Sequence, residues 1–90
     1  MDQVRIHYRF YGQVQGVGFR YRASHAAGLW GVTGWIRNDW DGSVEMELQG
    51  SLSSIGKVLS SLAASPYICI DRMERSEIPV IPETGFSVRG

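Results

Sequence analysis

The residues Gly12-Gln13-Val14-Gln15-Gly16-Val17-Gly18-Phe19-Arg20 join an alternating segment to a helical one. A glycine-rich turn of this kind can aim several backbone N–H groups at one point, and the start of the following helix adds positive potential. Helix N-termini favour carboxylates and disfavour cations. Here the loop and first turn hold no Asp or Glu, and Arg20 and Arg22 stand there instead. An unneutralised positive site is suited to an anion. The competing reading is a tight connection that needs glycine geometry, with Arg20 free in solvent. Two nucleotide motifs do not fit. A Walker loop needs Gly-Lys-Ser/Thr, and Gly16 is followed by Val17. A dinucleotide fingerprint needs a third glycine where Tyr21 stands.

A second stretch is Gly34-Trp35-Ile36-Arg37-Asn38-Asp39. Asn38 shares parity with Val32 and Ile36, so its side chain is expected on the core side, at a strand end that can approach the glycine loop. An amide there can orient a water through donor and acceptor together. Alternatively, Asn38 starts an Asx-turn into Asp39-Trp40-Asp41-Gly42.

The elements that must position these residues follow from periodicity. Val4, Ile6, Tyr8 and Phe10 alternate with Arg5, His7, Arg9 and Tyr11, which predicts a strand with one dry and one wet face. A helix is expected from about Phe19 to Ala27, with Phe19, Ala23, Ala26 and Ala27 on its inner side and Gly28 as its C-terminal cap. Strands over Val32–Asn38 and Ser43–Gln49 flank an Asp-Gly hairpin turn. Ser51 or Ser53 caps a second helix whose apolar stripe is Leu52, Ile55, Val58 or Leu59, and Leu62, and Pro66 ends it. A strand over Ile68–Ile78 slips its alternation between Ile70 and Met73, which signals a bulge. Pro79 and Pro82 lie in a loop, and Phe86 and Val88 alternate in a short last strand. The order βαββαβ plus a terminal strand predicts an α+β, ferredoxin-like sandwich. In it, two right-handed crossovers place both helices on one face of an antiparallel sheet. The other face is expected to be open to water, with Arg5, Arg9 and Arg37 meeting Glu45 and Glu47.

Ninety residues fit a single domain spanning 1–90. Nine basic and nine acidic side chains cancel, which disfavours a broad nucleic-acid surface but leaves room for one focused anion site. No apolar run approaches the ~20 residues needed to cross a bilayer. Charges in MDQVRIHYRF interrupt any signal-peptide core. The lone Cys69 fits a reducing compartment, and it is expected as a buried strand residue rather than a catalytic thiol. A cytoplasmic protein without membrane attachment is the expectation. His7 has no neighbouring ligand set, and Ser24 and His25 point about 100° apart on a helix, so neither a metal site nor a Ser–His dyad is expected. Trp30, Trp35 and Trp40 are expected to cover hairpin edges.

Together, GQVQGVGFRYRA and GVTGWIRNDWDGSVE closely resemble the acylphosphatase family, and the likeness extends through Gln49-Gly50 and Ser65-Pro66 over nearly the whole chain. The resemblance implies hydrolysis of acyl phosphates to carboxylate and inorganic phosphate, with no metal and no cofactor. It implies that Arg20 binds the phosphoryl group together with the backbone amides of Gln15, Gly16, Val17, Gly18, Phe19 and Arg20. It further implies that Asn38 positions the attacking water. The partners implied are a small acyl phosphate and, as product inhibitor, inorganic phosphate, acting on a monomer that binds neither nucleic acid nor membrane. This chain departs from the family in its Ser-rich second helix and in an end, Phe86-Ser87-Val88-Arg89-Gly90, that lacks a final aromatic. Two other classes share the strand order. An RNA-recognition domain would stack bases on the open sheet face, where Glu45 and Glu47 repel phosphates. A regulatory small-ligand domain would not need Arg20 and Asn38 together.

Overall fold

Period-two alternation builds β1 (Val4–Gln13), and its apolar half, Ile6, Tyr8 and Phe10, is buried almost completely. The computed structural model describes residues 2–90. After β1 come α1 (Phe19–Trp30), β2 (Thr33–Asn38), β3 (Val44–Gly50), α2 (Leu52–Ala63), β4 (Cys69–Ile78) and β5 (Phe86–Val88). The sheet order is β4-β1-β3-β2-β5. The β1–β3, β1–β4 and β2–β3 pairs are antiparallel. β5 adds to the edge beside β2 in the parallel sense, which makes the five-stranded sheet mixed where an antiparallel one was expected. The parallel sense follows from a connection that crosses the whole sheet instead of turning back in a hairpin.

One continuous core joins Ile6, Tyr8 and Phe10 to Ile36 on β2 and to Val44, Met46 and Leu48 on β3. Both helices close it from the same side. α1 contributes Phe19, Ala23, Ala26 and Ala27, and α2 contributes Ile55, Val58 and Leu62. Each of the larger side chains contributes about 1.5–3 kcal/mol by leaving water. Ser51 caps α2, its Oγ accepting from Ser54 N at 3.1 Å. Leu52 is exposed, so the apolar stripe begins at Ile55 and not at Leu52.

Three further expectations need correction. First, α1 runs through Gly28 and ends at Gly31, which is left-handed with φ 66. The N–H groups of Gly31 and Val32 both reach Ala27 O. The glycine that wins is the one followed by an apolar residue that must turn into the core, and Val32 is buried. Second, Cys69 is exposed, as is nearly all of β4, because β4 is an edge strand paired on one side with β1. The bulge itself lies where expected. Tyr11 faces Arg72 and Gly12 faces Ile70, which leaves Asp71 as the extra residue.

Third, the face opposite the helices is not open water. To reach the far edge, the 79–85 segment crosses four strand spacings of about 4.8 Å, a span an extended chain covers at about 3.3 Å per residue. Gln49 holds the crossing segment at both ends of the Ile81 main chain, with Nε2 donating to Ile81 O at 2.8 Å and Oε1 accepting from Ile81 N at 3.0 Å. Arg5, expected on the wet face, is 2% exposed beneath it. Its guanidinium donates to Glu83 through Nη1 (2.7 Å) and Nη2 (3.2 Å), to Glu47 through Nε (2.8 Å) and to Gln49 Oε1 (3.1 Å). The charge ladder does form. Arg9 and Arg37 meet Glu45, and His7 Nε2 lies 2.7 Å from Glu45 Oε2. The network is covered at its Arg5 end, while His7, Arg9 and Arg37 at the other end keep part of their surface in water.

Three carboxylates of this face, Asp39, Glu45 and Glu83, have depressed pKa values. Hydrogen bonds from Arg9 and from Trp40 N–H lower Asp39. Burial pushes Glu45 and Glu83 up, but the hydrogen bonds and charges of His7, Arg37 and Arg9 on Glu45, and of Arg5 on Glu83, outweigh it. On acidification the unfolded chain therefore takes up protons first. The stabilisation is complete above the ordinary carboxylate range of about pH 4 and is lost as pH falls into and below it. In urea titrations at fixed ionic strength, unfolding free energy should hold near neutrality and fall steeply below about pH 4. Glu83→Gln should be less stable at neutral pH yet show a shallower acid slope. A slope unchanged by that substitution would remove Glu83 from the network.

Candidate functional site

The turn between β1 and α1 bends through Gly16 and Gly18, at φ +73 and φ +79, a left-handed region where a side chain is strained. Gly18 is the N-cap of α1 and supplies no side-chain acceptor. The first helical bond is Arg22 N to Gly18 O at 3.0 Å, so the N–H groups of Phe19, Arg20 and Tyr21 have no acceptor within the helix. No acidic residue stands in the first turn. Arg20 follows the same rule. Arg5, Arg9, Arg37 and Arg72 each have a carboxylate within 4.0 Å, and Arg20 has none among the described residues. The helix end and the guanidinium thus leave their positive charge uncompensated by protein.

At the other wall, Asn38 ends β2 opposite Val44, with its backbone N–H donating to Gly90 O at 3.2 Å. It does not start an Asx-turn. Asp39 Oδ1 accepts from Trp40 N, and Asp41 Oδ1 accepts from Ser43 N and Ser43 Oγ. With the turn held by its neighbours, the Asn38 amide is free for another task. Its Oδ1 is buried and lacks a hydrogen-bond partner among the described residues. A buried acceptor left unpaired costs about 1–3 kcal/mol, so it marks a position that a polar ligand or water completes.

Arg20 and Asn38 line one cavity of about 380 Å³, together with Val14, Gly16, Gly18, Phe19, Tyr21 and Val88. Of the six loop residues singled out in the sequence, Gly16, Gly18, Phe19 and Arg20 reach this cavity, while Gln15 and Val17 do not line it. Val17 is half-buried against the core. Gln15 turns its side chain away to the β2–β3 turn, where Nε2 donates to Asp39 O at 2.7 Å and Ser43 O at 2.9 Å. Arg9 holds the same turn, with Nη1 donating to Asp39 Oδ2 and Ser43 Oγ, each at 2.8 Å. Arg22, grouped with Arg20 in the sequence, instead crosses to α2 and donates to Ser61 O at 3.0 Å.

Tyr21 and Val88 were not foreseen at the site. Tyr21 carried a signal, since it follows Arg20 on the first turn. Val88 carried none, because its place depends on which strand β5 pairs with. The three tryptophans serve edges and surfaces. The rings of Trp30 and Trp35 pack under Lys57 and Arg89, and Trp40 is exposed in the turn. The RNA-recognition reading is not favoured, because the 79–85 segment covers the sheet face over Arg5 and Gln49 and the face's arginines are paired with carboxylates.

The cavity therefore presents a cation, free helix N–H groups and a side-chain amide to one small space, which suits a phosphoryl group flanked by a water. The sequence profile of the acylphosphatase family matches residues 6–88. An acylphosphatase of Bifidobacterium longum is 43% identical over 89 residues, covering 96% of this chain and 92% of the relative. One from Thermococcus kodakarensis is 40% identical over 78 residues, covering 87% and 84%. The solved acylphosphatase of Coxiella burnetii, 30% identical, superposes with a TM-score of 0.87 over 98% of this chain and 94% of that one. A profile matched from the first buried apolar residue of β1 to the last residue of β5, with identities near 40% along most of the chain, is more than a shared strand order. The chain belongs to the acylphosphatase family, the hydrolases of acyl phosphates.

Proposed function

We propose that the cavity between the glycine loop and the end of β2 performs the hydrolysis, with Arg20 and the loop as phosphoryl receptor and Asn38 as water-positioning group. The observation that carries this assignment is the pairing of an uncompensated Arg20 with a buried, unpartnered Asn38 Oδ1 in one cavity. The Arg20 fork and the N–H groups of Gly18, Phe19 and Arg20 meet the phosphoryl oxygens, where negative charge is spread as the reaction proceeds. The Asn38 side-chain amide hydrogen-bonds the water and aims the water's lone pair at phosphorus, opposite the bond to the carboxyl oxygen. A phosphorus–oxygen bond forms to water as the carboxyl–phosphate bond breaks. The electron pair leaves with the carboxylate, and the protons of the water stay with phosphate and solvent. A carboxylate departs without protonation, so no strong general acid is required. The charge in this scheme is met by protein donors, and no step is routed through a metal. Inorganic phosphate, the product, occupies the same cradle and competes with substrate. We take the protein to act as a cytoplasmic monomer of one domain; the free thiol of Cys69 suits a reducing compartment.

Arg20→Ala should lower kcat/KM for benzoyl phosphate by about a hundredfold or more, since each charge-assisted bond to phosphate contributes roughly 1.5–3 kcal/mol. Arg20→Lys should also be poor, because an ammonium lacks the planar fork. Phosphate at ten times its Kd should raise the wild-type melting temperature saturably by about 5–10 °C, and in Arg20→Ala only a small linear drift should remain. Equal gains in both proteins would place the anion elsewhere.

Asn38→Ala should act mainly on kcat, by about two orders of magnitude, with phosphate affinity nearly retained. An equal collapse of phosphate affinity would put Asn38 in the cradle instead of beside the water.

Gln15→Ala should lower kcat without touching substrate, because it frees the loop from the turn that carries Asn38. Loss of two part-buried hydrogen bonds should cost about 1–3 kcal/mol in stability. Crystals of the variant should show the two walls displaced; unaltered walls and wild-type kcat would dismiss the positioning role.

A further inference from the structure

The first turn of α1 serves two cavities. The second, of about 370 Å³, shares Gly18 and Tyr21 with the first and extends along Arg22, His25, Ser61 and Tyr67. Arg20 and Arg22 lie about 200° apart around the helix, so they serve opposite sides of that turn with Tyr21 between them. Arg22 is fixed by its bond from Nη1 to Ser61 O at 3.0 Å. It has no carboxylate within 4.0 Å among the described residues, and no acidic residue lines the cavity. A guanidinium held by one donor and left uncompensated keeps its other donors for an anion. The rings around it are exposed. Tyr21 is 77% and Tyr67 72% accessible, and Tyr21 stacks on His25 with centroids 6.2 Å apart and an interplanar angle of 14°.

We propose that this second cavity receives the acyl part of the substrate, and that it favours acyl phosphates whose acyl group is flat and carries a second carboxylate, read by Arg22. The inference rests on the phosphoryl group lying in the first cavity. Tyr21 stands at the boundary, so a substrate anchored by Arg20 passes its acyl chain over Gly18 and along that ring. Flat acyl groups stack on Tyr21 and His25. A distal carboxylate meets the free donors of Arg22, and a neutral group of the same shape does not. The distal carboxylate stays attached through the attack on phosphorus and leaves as part of a dicarboxylate. Arg22 acts on which acyl phosphate is hydrolysed and takes no part in breaking the bond.

The test compares 4-carboxybenzoyl phosphate with 4-methylbenzoyl phosphate, with benzoyl phosphate as the reference substrate of the wild-type protein. The wild type should prefer the carboxylated substrate about tenfold in kcat/KM, the effect of one charge-assisted hydrogen bond at a half-exposed site. Arg22→Gln should bring the ratio close to one. Because that substitution also removes the tie to Ser61, a second variant, Tyr67→Glu, is measured. Its position is exposed and tolerates a charge, and a carboxylate on that wall should push the ratio below one. A wild-type ratio near one, or a preference that survives both substitutions, overturns the assignment. Wild-type hydrolysis of benzoyl phosphate with no preference removes the acyl-side cavity alone, and absence of that hydrolysis removes the catalytic reading on which it rests.

Discussion

Both hydrogens of the Gln15 side-chain amide go to main-chain carbonyls of the β2–β3 turn, Asp39 O and Ser43 O. This pair of bonds fastens the glycine loop to the hairpin, and the two walls of the cavity belong to those two segments. Loop and hairpin are far apart in sequence, and each could relax alone without losing its own secondary structure. An amide is well matched to the task, having two donors on one nitrogen and needing two acceptors. Arg9 reinforces the same turn from β1 through Asp39 and Ser43. Positioning thus comes from part-buried hydrogen bonds, those of Gln15 to backbone carbonyls and those of Arg9 to side chains, which transmit little of the mobility that the loop's glycines would otherwise permit.

The opposite face of the sheet contributes through Arg5. A guanidinium this buried is tolerated because its donors are nearly all used, on Glu47, Gln49 and Glu83. Removing one partner would leave an uncompensated charge. The cluster is therefore a lock on geometry, and what it locks is the crossing segment before β5. That segment delivers Val88 to the cavity wall and Gly90 O to the backbone N–H of Asn38. Two sets of arginines contrast on this protein. Those under the sheet are paired and hold the fold together. Arg20 and Arg22 are unpaired with carboxylates and stand at the helix start.

That contrast has an energetic meaning. α1 begins with glycine at its N-cap, no acceptor side chain and no acidic residue. A capping Ser or Asp would stabilise the helix by about 1 kcal/mol, and a carboxylate would offset the dipole. α2, which has no part in the cavity, does carry such a cap at Ser51. The core supplied by Phe19, Ala23, Ala26 and Ala27 holds α1 in place without one. Local rules are broken at the start of α1, beside the proposed phosphoryl receptor, and nowhere is the helix asked to stand alone.

Legible in the sequence alone are the strand and helix order, the buried stripes of β1 and α1, the bulge near Asp71, and the glycine loop without carboxylates on which the proposed anion site rests. Each of these depends on residues within a turn or two of one another, where periodicity and backbone sterics are sufficient. Asn38 was legible as a core-side amide at a strand end, but not as free of an Asx-turn. That depended on Asp39 and Asp41 taking the turn's hydrogen bonds. The choice of Gly31 over Gly28, the exposure of Cys69 and the burial of Arg5 were decided by which surfaces come to cover which. So were the two-sided role of Gln15 and the arrival of Val88. Those outcomes follow from strand pairing and from the path of the 79–85 segment across the sheet. Such contacts join residues many positions apart, and the free energy that selects them exists only once the core has brought them together.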